Sequence, residues 1–493
     1  MKKKAQEYYQ EKINNFYDKK DRILSQDNID IKEIKNIHIT GSCGKAMASI
    51  SGLFSDGGFN VSGSDSECKP PMSIILDNLN LKYNNYNPKN IKNKDLIVVG
   101  NVCTPNNIEV LAAKKNNTPQ VSGAESVEKF FIGDKKSLVV AGTHGKTSTS
   151  SLLSHIFLTA KKPTGFLVGG VLENYNTSYK YEKNDSGYFI IEGDEYDTAY
   201  FDKAPKFLHY KPYKTIITSV EFDHADIYKN LTDYRQAFKF LSQETKSEII
   251  IWDQIKDLRG LMSDTDTNFI TYGFNKNSNV VISNIQQKRN GQNFDLEINE
   301  KKYPDIFLPM SGDHNVLNAS ACFYLSLSEE IEEKDIRNAL KTFKGSKKRQ
   351  EIISEKKGIL FIDDFAHHPT AVKTTLAGLK KQYPEKRLLA VFEPRSSTSR
   401  MKNFEEIYPK SFDSADLIFI SQPEFREVDN KENFMDINII LEKIKKKGKD
   451  VFASSEKNIL IGKILSELKE DDLVVFMSNG DFGNIQDKII EKI

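Results

Sequence analysis

The chain of 493 residues carries only four cysteines, Cys43, Cys68, Cys103 and Cys322, and no two of them stand in CxxC spacing. That scatter offers neither a thiolate zinc site nor a disulfide framework, so reduced thiols in a cytoplasmic protein are expected. Charge of one sign is missing as well: 70 Lys and Arg against 69 Asp and Glu leave a formal net charge of +1. Without a basic or acidic surplus, no nucleic-acid partner is expected. No apolar run approaches a membrane span, and the first lysines are followed by Gln, Glu, Tyr and Asn. Neither a membrane anchor nor a signal peptide is therefore expected. Internal repeats and long low-complexity linkers are also lacking.

What is present is ordinary globular composition, 38% hydrophobic and 28% charged, at a length suited to about three domains. Short β-rich runs alternate with helix-length segments, which predicts an α/β protein with mainly parallel sheets. Expected strands are 36–40, 59–63 and 95–100, then 137–141, 188–191, 215–220 and 248–252, and finally 388–392, 417–420 and 473–477. Segment 264–310 alternates apolar and polar residues, as in "VVISNIQQ" and "NFDLEIN", and reads as antiparallel strands decorating the central sheet. Boundaries near 134 and 346 divide the chain into 1–133, 134–345 and 346–493, with 1–30 a polar peripheral helix.

The richest stretch is "VVAGTHGKTSTS" (139–150), an apolar run, a glycine turn and a helix opening with Lys and Thr. Gly142, Thr143, His144, Gly145 and Ser148 would let backbone N–H groups meet phosphate oxygens, Lys146 would reach the β- and γ-phosphates, and Thr147 would offer a hydroxyl to Mg²⁺. The glycine usual five places before Gly145 is replaced by Val140, so the loop is a shortened variant; a small-residue helix cap is the competing reading. "NIHITGSCGKAMAS" repeats the strand–turn–helix plan. Gly41, Ser42 and Gly44 would seat a diphosphate, Lys45 would neutralise it or stay solvated, and Asp65 lies where an acidic residue bonds a ribose hydroxyl. Asn101, at a further strand end, offers an amide to a sugar or base.

Carboxylates crowd two more strand ends: Glu192, Asp194, Glu195 and Asp197 in "IEGDEYD", then Glu221, Asp223, His224 and Asp226 in "EFDHAD". Glu192 and His224 suit divalent-ion ligation, whereas capping carboxylates and a surface His are the bland alternative. Asn315 and Asn318 share one face of the helix opened by "SGDHN" and suit an adenine edge. In "FIDDFAHHPTAV" the adjacent His367 and His368 point apart, which favours nucleotide or substrate contact over chelation. Arg395 and Arg400 follow a strand with forks suited to carboxylates.

Together "GTHGKTST", "IEGDE", "EFDHADIY", "GDHNVLNA" and "DDFAHHPTAV", in that order across nearly the whole chain, resemble the Mur ligase family of cell-wall synthesis. The blocks "PPMS", "EYDTAYFDKAPKFLHY", "EPRS" and "MSNGDFGN" are most similar to members that attach the murein tripeptide to UDP-N-acetylmuramate, rather than to those that attach L-alanine. The resemblance implies a Rossmann-like UDP-sugar domain, a central P-loop ATPase domain with a mainly parallel sheet, and a Rossmann-like C-terminal domain for the peptide. It implies ATP and Mg²⁺, Lys146, Glu192 and His224 as the catalytic and metal set with Thr147, and a monomer. It further implies Arg349 and Asp364 near the nucleotide. A carbamylated lysine bridging metals in several members would fall at Lys239, although the register from Tyr234 points nearer Phe238.

Overall fold

The computed structural model describes residues 31–493 apart from 69–71, 224–226, 229, 264 and 426–430. The peripheral helix expected over 1–30, His224 and Asp226, and Pro70 and Pro71 of "PPMS" lie outside the described residues.

Three parallel-rich sheets follow one another along the chain. The first holds β1 (Asn36–Thr40), β2 (Asn60–Ser64), β3 (Lys82–Asn84), β4 (Leu96–Val99) and β5 (Gln120–Ser122), all parallel, in the order β3-β2-β1-β4-β5. Successive crossovers from β1 run to opposite sides, so the turn between β1 and helix α1 (Lys45–Asp56) opens at a switch point of strand order. Open α/β sheets bind ligands at such a point, beyond the carboxyl ends of the strands.

The second sheet comprises β6 (Lys136–Ala141), β7 (Thr164–Leu172), β8 (Thr177–Lys180), β9 (Tyr188–Gly193), β12 (Pro212–Ile217), β13 (Glu248–Trp252), β14 (Asn268–Gly273), β15 (Val280–Lys288), β16 (Gly291–Ile298) and β17 (Lys301–Leu308). A separate ribbon pairs β10 (Asp197–Ala199) with β11 (Asp202–Pro205). The large sheet runs β17-β16-β15-β14-β13-β12-β6-β9-β7-β8, so β6 lies between β9 and β12 and parallel to both. Val139, Ala141, Ile191, Ile217 and Ile249 pack on one face while Leu138, Val140, Ile190, Ile216 and Ile250 pack on the other. Burial on both faces is why these strands read as unbroken apolar runs. The antiparallel segment expected over 264–310 is only partly so: β14 and the start of β15 continue the parallel run, and β15–β17 turn antiparallel. Strand β14 stays parallel because it pairs in register with buried β13, which alternation along the chain does not reveal.

The third sheet holds β18 (Glu351–Lys356), β19 (Ile359–Asp364), β20 (Leu388–Phe392), β21 (Leu417–Ser421), β22 (Asp450–Ser454) and β23 (Leu473–Met477), ordered β18-β19-β23-β20-β21-β22 and parallel except at β18. Helices that matter below are α2 (Lys146–Thr159), α3 (Leu231–Glu244), α4 (Asp313–Ser328) and α5 (Pro369–Gln382).

The first two sheets are joined by apolar packing and by buried ions. Leu53 and Phe54 of α1 share an apolar cluster with Phe131, Phe189 and Tyr210. Ser49 meets Ser178 at 2.8 Å. Buried His209 lies 2.6 Å from Asp202 on β11 and 3.6 Å from Glu128, so "FDK" and "KFLHY" are two halves of one ion cluster. Burial alone would strip its proton, but Asp202 and Glu128 outweigh that and raise His209 to about 9.

A folded pKa above the unfolded value means that protonation favours the fold. This contribution is complete below about pH 6.5, the unfolded value, and is worth at most on the order of 3 kcal/mol. It disappears as pH rises through about 9. We expect His209→Asn to lower the melting temperature at pH 6.5 and to flatten its decline toward pH 9, as read by differential scanning calorimetry. An unchanged slope would remove His209 as the titrating group.

Candidate active site

Where β6 ends, the chain enters a turn that only glycine fits. Gly142 has φ +136°, and a Cβ there would lie 2.2 Å from Thr218 Oγ1; Gly145 has φ +80°, and its Cβ would lie 2.9 Å from Asn318 Oδ1. Gly145 caps α2 without a side-chain bond, leaving the first N–H groups of the helix open. The turn is also tied to the stretch that follows β12: Ser219 accepts the His144 N–H at 2.9 Å, and the Thr143 hydroxyl donates to the Glu221 carbonyl at 2.9 Å.

Lys146 folds back instead of projecting. Its ammonium donates to Gly142 O and to Glu195, each at 2.7 Å, and Tyr234 of α3 donates to the other oxygen of Glu195 at 2.8 Å. Burial would lower the Lys146 pKa, but Glu195, Asp194 and Glu192 outweigh it and raise the value. Glu195 is fully buried, and its pairing with Lys146 is not legible from a strand end that carries four carboxylates.

The decisive contact joins Thr147 to Glu192. The Thr147 hydroxyl donates to Glu192 at 3.2 Å, and the other Glu192 oxygen accepts the Gly169 N–H of β7 at 2.7 Å. Arg349, just before β18, donates to Thr147 Oγ1 at 3.0 Å, so the third sheet reaches the glycine loop of the second. A cavity of about 440 Å³ opens here, lined among others by Ser148, Glu192, Asn315, Asn318, Arg349 and Asp364. Asn315 donates to Ser311 O at 2.7 Å. Asp364 accepts the N–H groups of Gln350 and Ala366 at 2.9 and 2.8 Å, which fixes the turn after β19, and burial raises its pKa.

The two histidines after β19 diverge as their adjacency suggests. His367 Nδ1 meets Phe365 O at 3.0 Å, while His368 caps α5 and faces Glu221. Burial lowers His367 to about 4 and, with His144 adding repulsion, His368 to about 3. His144, Glu221 and His368 present ligand atoms all within 4.8 Å of one another. Each lies in a singled-out motif, but nothing along the chain pairs them.

At the first sheet, Gly41 has φ +82°, and Gly44 caps α1 in extended conformation without a side-chain bond, leaving the first N–H groups of the helix open, whereas those of Gly41, Ser42, Cys43 and Gly44 are bonded within the turn and to Ser64 and Asp65. Ser42 is buried and donates to Ser64 O, and Asn101 is exposed. Asp65 is spent on the turn: it accepts the N–H groups of Cys43 at 2.9 Å and Ser66 at 2.8 Å. Beneath it, buried Glu109 accepts from Thr40, Ser64, Asn87 and Asn90. Burial opposes ionisation of Glu109, yet these donors and His38 hold it at about 2.

Three expectations are corrected. Cys43 and Cys68 form a disulfide, with Cα atoms 5.3 Å apart, because parallel pairing of β1 and β2 brings the two following turns together across 25 residues of sequence. Such a bond is uncommon in a reducing compartment; Cys103 and Cys322 are free and buried. Lys239 points to Ser263 Oγ at 3.1 Å and does not line the cavity, while Phe238, one turn after Tyr234, is buried in the apolar cluster. Arg400 is 1% exposed and donates to the carbonyls of Ser396 and Glu424, so its fork grips its own domain. Arg395 remains half-buried at the surface, 2.8 Å from Asp481.

The description "Mur ligase family, catalytic domain" matches residues 36–133, "Mur ligase middle domain" 140–326 and "Mur ligase, glutamate ligase domain" 348–480. The chain is 30% identical over 460 residues to a UDP-N-acetylmuramate–L-alanine ligase of Clostridium botulinum, covering 92% of this chain and 97% of that one. It is also 30% identical over 468 residues to the UDP-N-acetylmuramate–L-alanyl-γ-D-glutamyl-meso-2,6-diaminoheptandioate ligase of Haemophilus influenzae, covering 93% and 99%. A solved murein peptide ligase from Psychrobacter arcticus superposes with a TM-score of 0.69 at 29% identity, covering 93% and 98%. The chain belongs to the Mur ligase family, with its three-domain α/β architecture. It is accordingly an ATP-dependent ligase that forms an amide bond.

Two substitutions differ in what they do to turnover. Lys146→Ala is expected to lower kcat by about a hundredfold or more and also to lower the melting temperature, because it strands the buried Glu195 carboxylate, so turnover is compared at a temperature where both proteins are folded. Arg400→Met is expected to cost about 2–4 kcal/mol of stability through the carbonyls it strands, with the KM for the amine substrate unchanged. A rise in that KM at normal stability would return Arg400 to the substrate.

Proposed function

We propose that this chain joins the tripeptide L-Ala-γ-D-Glu-meso-diaminopimelate to the lactyl carboxylate of UDP-N-acetylmuramate, at the expense of ATP and in cell-wall recycling. The same reading makes it a cytoplasmic monomer. Among the described residues no helix is long and apolar enough to cross a membrane. The observation that carries the catalytic part is the hydrogen-bond chain Arg349–Thr147–Glu192, which brings residues of two domains onto one point of the glycine loop. The choice of tripeptide over alanine rests on the "PPMS", "FDK…KFLHY" and "EPRS" blocks and on relatives bearing the tripeptide ligase name.

A carboxylate and a triphosphate repel, so the site must supply positive charge and alignment. Thr147 and Glu192 offer hard oxygen donors 3.2 Å apart in the cavity, a set that fits Mg²⁺. Bound there, with His224 as a further ligand, Mg²⁺ would neutralise phosphate charge. Lys146, released from Gly142 and Glu195, turns to the β- and γ-phosphates, and Arg349 covers the phosphoryl oxygens. Asn315 and Asn318 face the adenine, with Asp364 ordering the turn beside it. The uncapped first turn of α1, entered through Gly41–Gly44, takes the diphosphate of the sugar nucleotide, with Asn101 beside it, and Arg395 takes a peptide carboxylate.

In the first step a lactyl carboxylate oxygen attacks the γ-phosphorus, the bond to the bridging oxygen breaks, and its electron pair leaves on ADP. The acyl phosphate is then attacked at its carbonyl carbon by the free amine of the tripeptide. The carbon–oxygen bond breaks, phosphate departs, and the nitrogen loses a proton to give the amide. Closure of the three domains keeps water from the acyl phosphate.

Incubation of the full chain with ATP, UDP-N-acetylmuramate and either the tripeptide or L-alanine separates the two family readings. We expect phosphate release and amide product to be faster with the tripeptide. Faster release with alanine would assign the activity named for the Clostridium botulinum relative.

A further inference from the structure

Lys45 is the first residue of α1, on the turn assigned to the sugar-nucleotide diphosphate, yet its side chain leaves that turn. Its ammonium lies 5.1 Å from the centroid of the Phe365 ring, in the third domain. The guanidinium carbon of Arg349 lies 4.4 Å from the same centroid. One aromatic ring therefore carries a cation from the first domain and a cation from its own, and cations are drawn to such rings. Arg349 in turn touches Thr147, which touches Glu192. Lys45 is thus three contacts from the Thr147 hydroxyl of the glycine loop, by way of Phe365 and Arg349.

The company is strongly cationic. Crowding by protein atoms, followed by repulsion from Lys348, Arg349 and Arg395, lowers the Lys45 pKa to about 8, with Glu192 the acidic group opposing them. The residue is nonetheless exposed to solvent, so an anion can reach it. Like charges held together raise the energy of the free protein, and an anion entering among them recovers that energy. The diphosphate has donors without the Lys45 side chain, because the N–H groups of the first turn of α1 carry no side-chain cap. Lys348 and Arg395 are partly committed, to Gly480 O at 2.6 Å and Asp481 at 2.8 Å respectively.

Resting on the ligase reading above, we infer that Lys45 reaches across from the first domain to hold the migrating phosphoryl group and the carboxylate it joins, the acyl phosphate, instead of the diphosphate of the sugar nucleotide. The inter-domain contact gives this a structural logic: the cation arrives at the reacting centre only when the first and third domains meet over Phe365. Lys45 then couples closure to charge stabilisation.

The test uses the full chain with ATP, UDP-N-acetylmuramate and tripeptide, in steady state, beside calorimetric titration of UDP-N-acetylmuramate alone. Lys45→Met is expected to lower kcat about a hundredfold. The dissociation constant of UDP-N-acetylmuramate and the KM of the tripeptide should stay within about threefold of the wild type. Lys45→Arg, which keeps the charge, should recover about tenfold of the loss. Melting curves check that Lys45→Met folds; should it not, Lys45→Gln takes its place. Weakened UDP-N-acetylmuramate binding at normal kcat would return Lys45 to the diphosphate, and a raised tripeptide KM alone would assign it to the peptide; either overturns the inference. A wild type that turns over normally alongside an unaltered Lys45→Met overturns this inference alone. A wild type that turns over with no amine overturns the ligase reading and this inference with it.

Discussion

The hydroxyl of Thr147 is the node on which the structure depends, because it sits on the glycine loop and bonds both Glu192 at 3.2 Å and Arg349 at 3.0 Å. Strand order makes the first contact inevitable: β6 and β9 are parallel neighbours, so the loop after one and the carboxylate at the end of the other emerge on the same edge. The second contact is different in kind. Arg349 belongs to the stretch entering the third sheet, and its reach fixes how that domain faces the loop. A phosphoryl transfer between two anions needs several cations placed together, and no single sheet edge supplies them.

Buried ions hold the rest of this geometry. Glu195 anchors Lys146 and Tyr234, Glu109 gathers donors from β1, β2 and the following loops, and His209 bonds Asp202 and Glu128. Each is a charge that would be costly to bury alone and is made tolerable by its partners. Their common position is beneath or between the loops, where backbone direction has to be fixed if open N–H groups are to converge. Scaffold and chemistry are therefore adjacent layers of one charge distribution.

Much of this was legible along the chain because the strands are buried on both faces. Asn36–Thr40, Glu248–Trp252, Leu388–Phe392 and Leu473–Met477 have the bounds that their apolar runs suggest. The glycine loop was legible for a related reason, since the positive φ values at Gly142 and Gly145 leave few other residues possible. What stayed hidden depends on pairing across distance. The Cys43–Cys68 bond follows from strand order, the inward turn of Arg400 from packing of its own domain, and the aim of Lys239 from a one-residue register on α3. The "FDK…KFLHY" block is instructive in another way. Its Asp202 and His209 are bound to each other, so a pattern read as a mark of substrate also serves the joint between two domains.

The parking of Lys146 on Gly142 O and Glu195 has an energetic corollary. A resting loop whose lysine is already satisfied gains little from a lone phosphate or sulfate, since the ion must first undo two bonds. A nucleotide that also engages the uncapped first turn of α2 and further groups lining the cavity can meet that threshold. Self-occupancy thus acts as a filter, making the empty loop indifferent to abundant small anions and responsive to a ligand long enough to grasp it at several points.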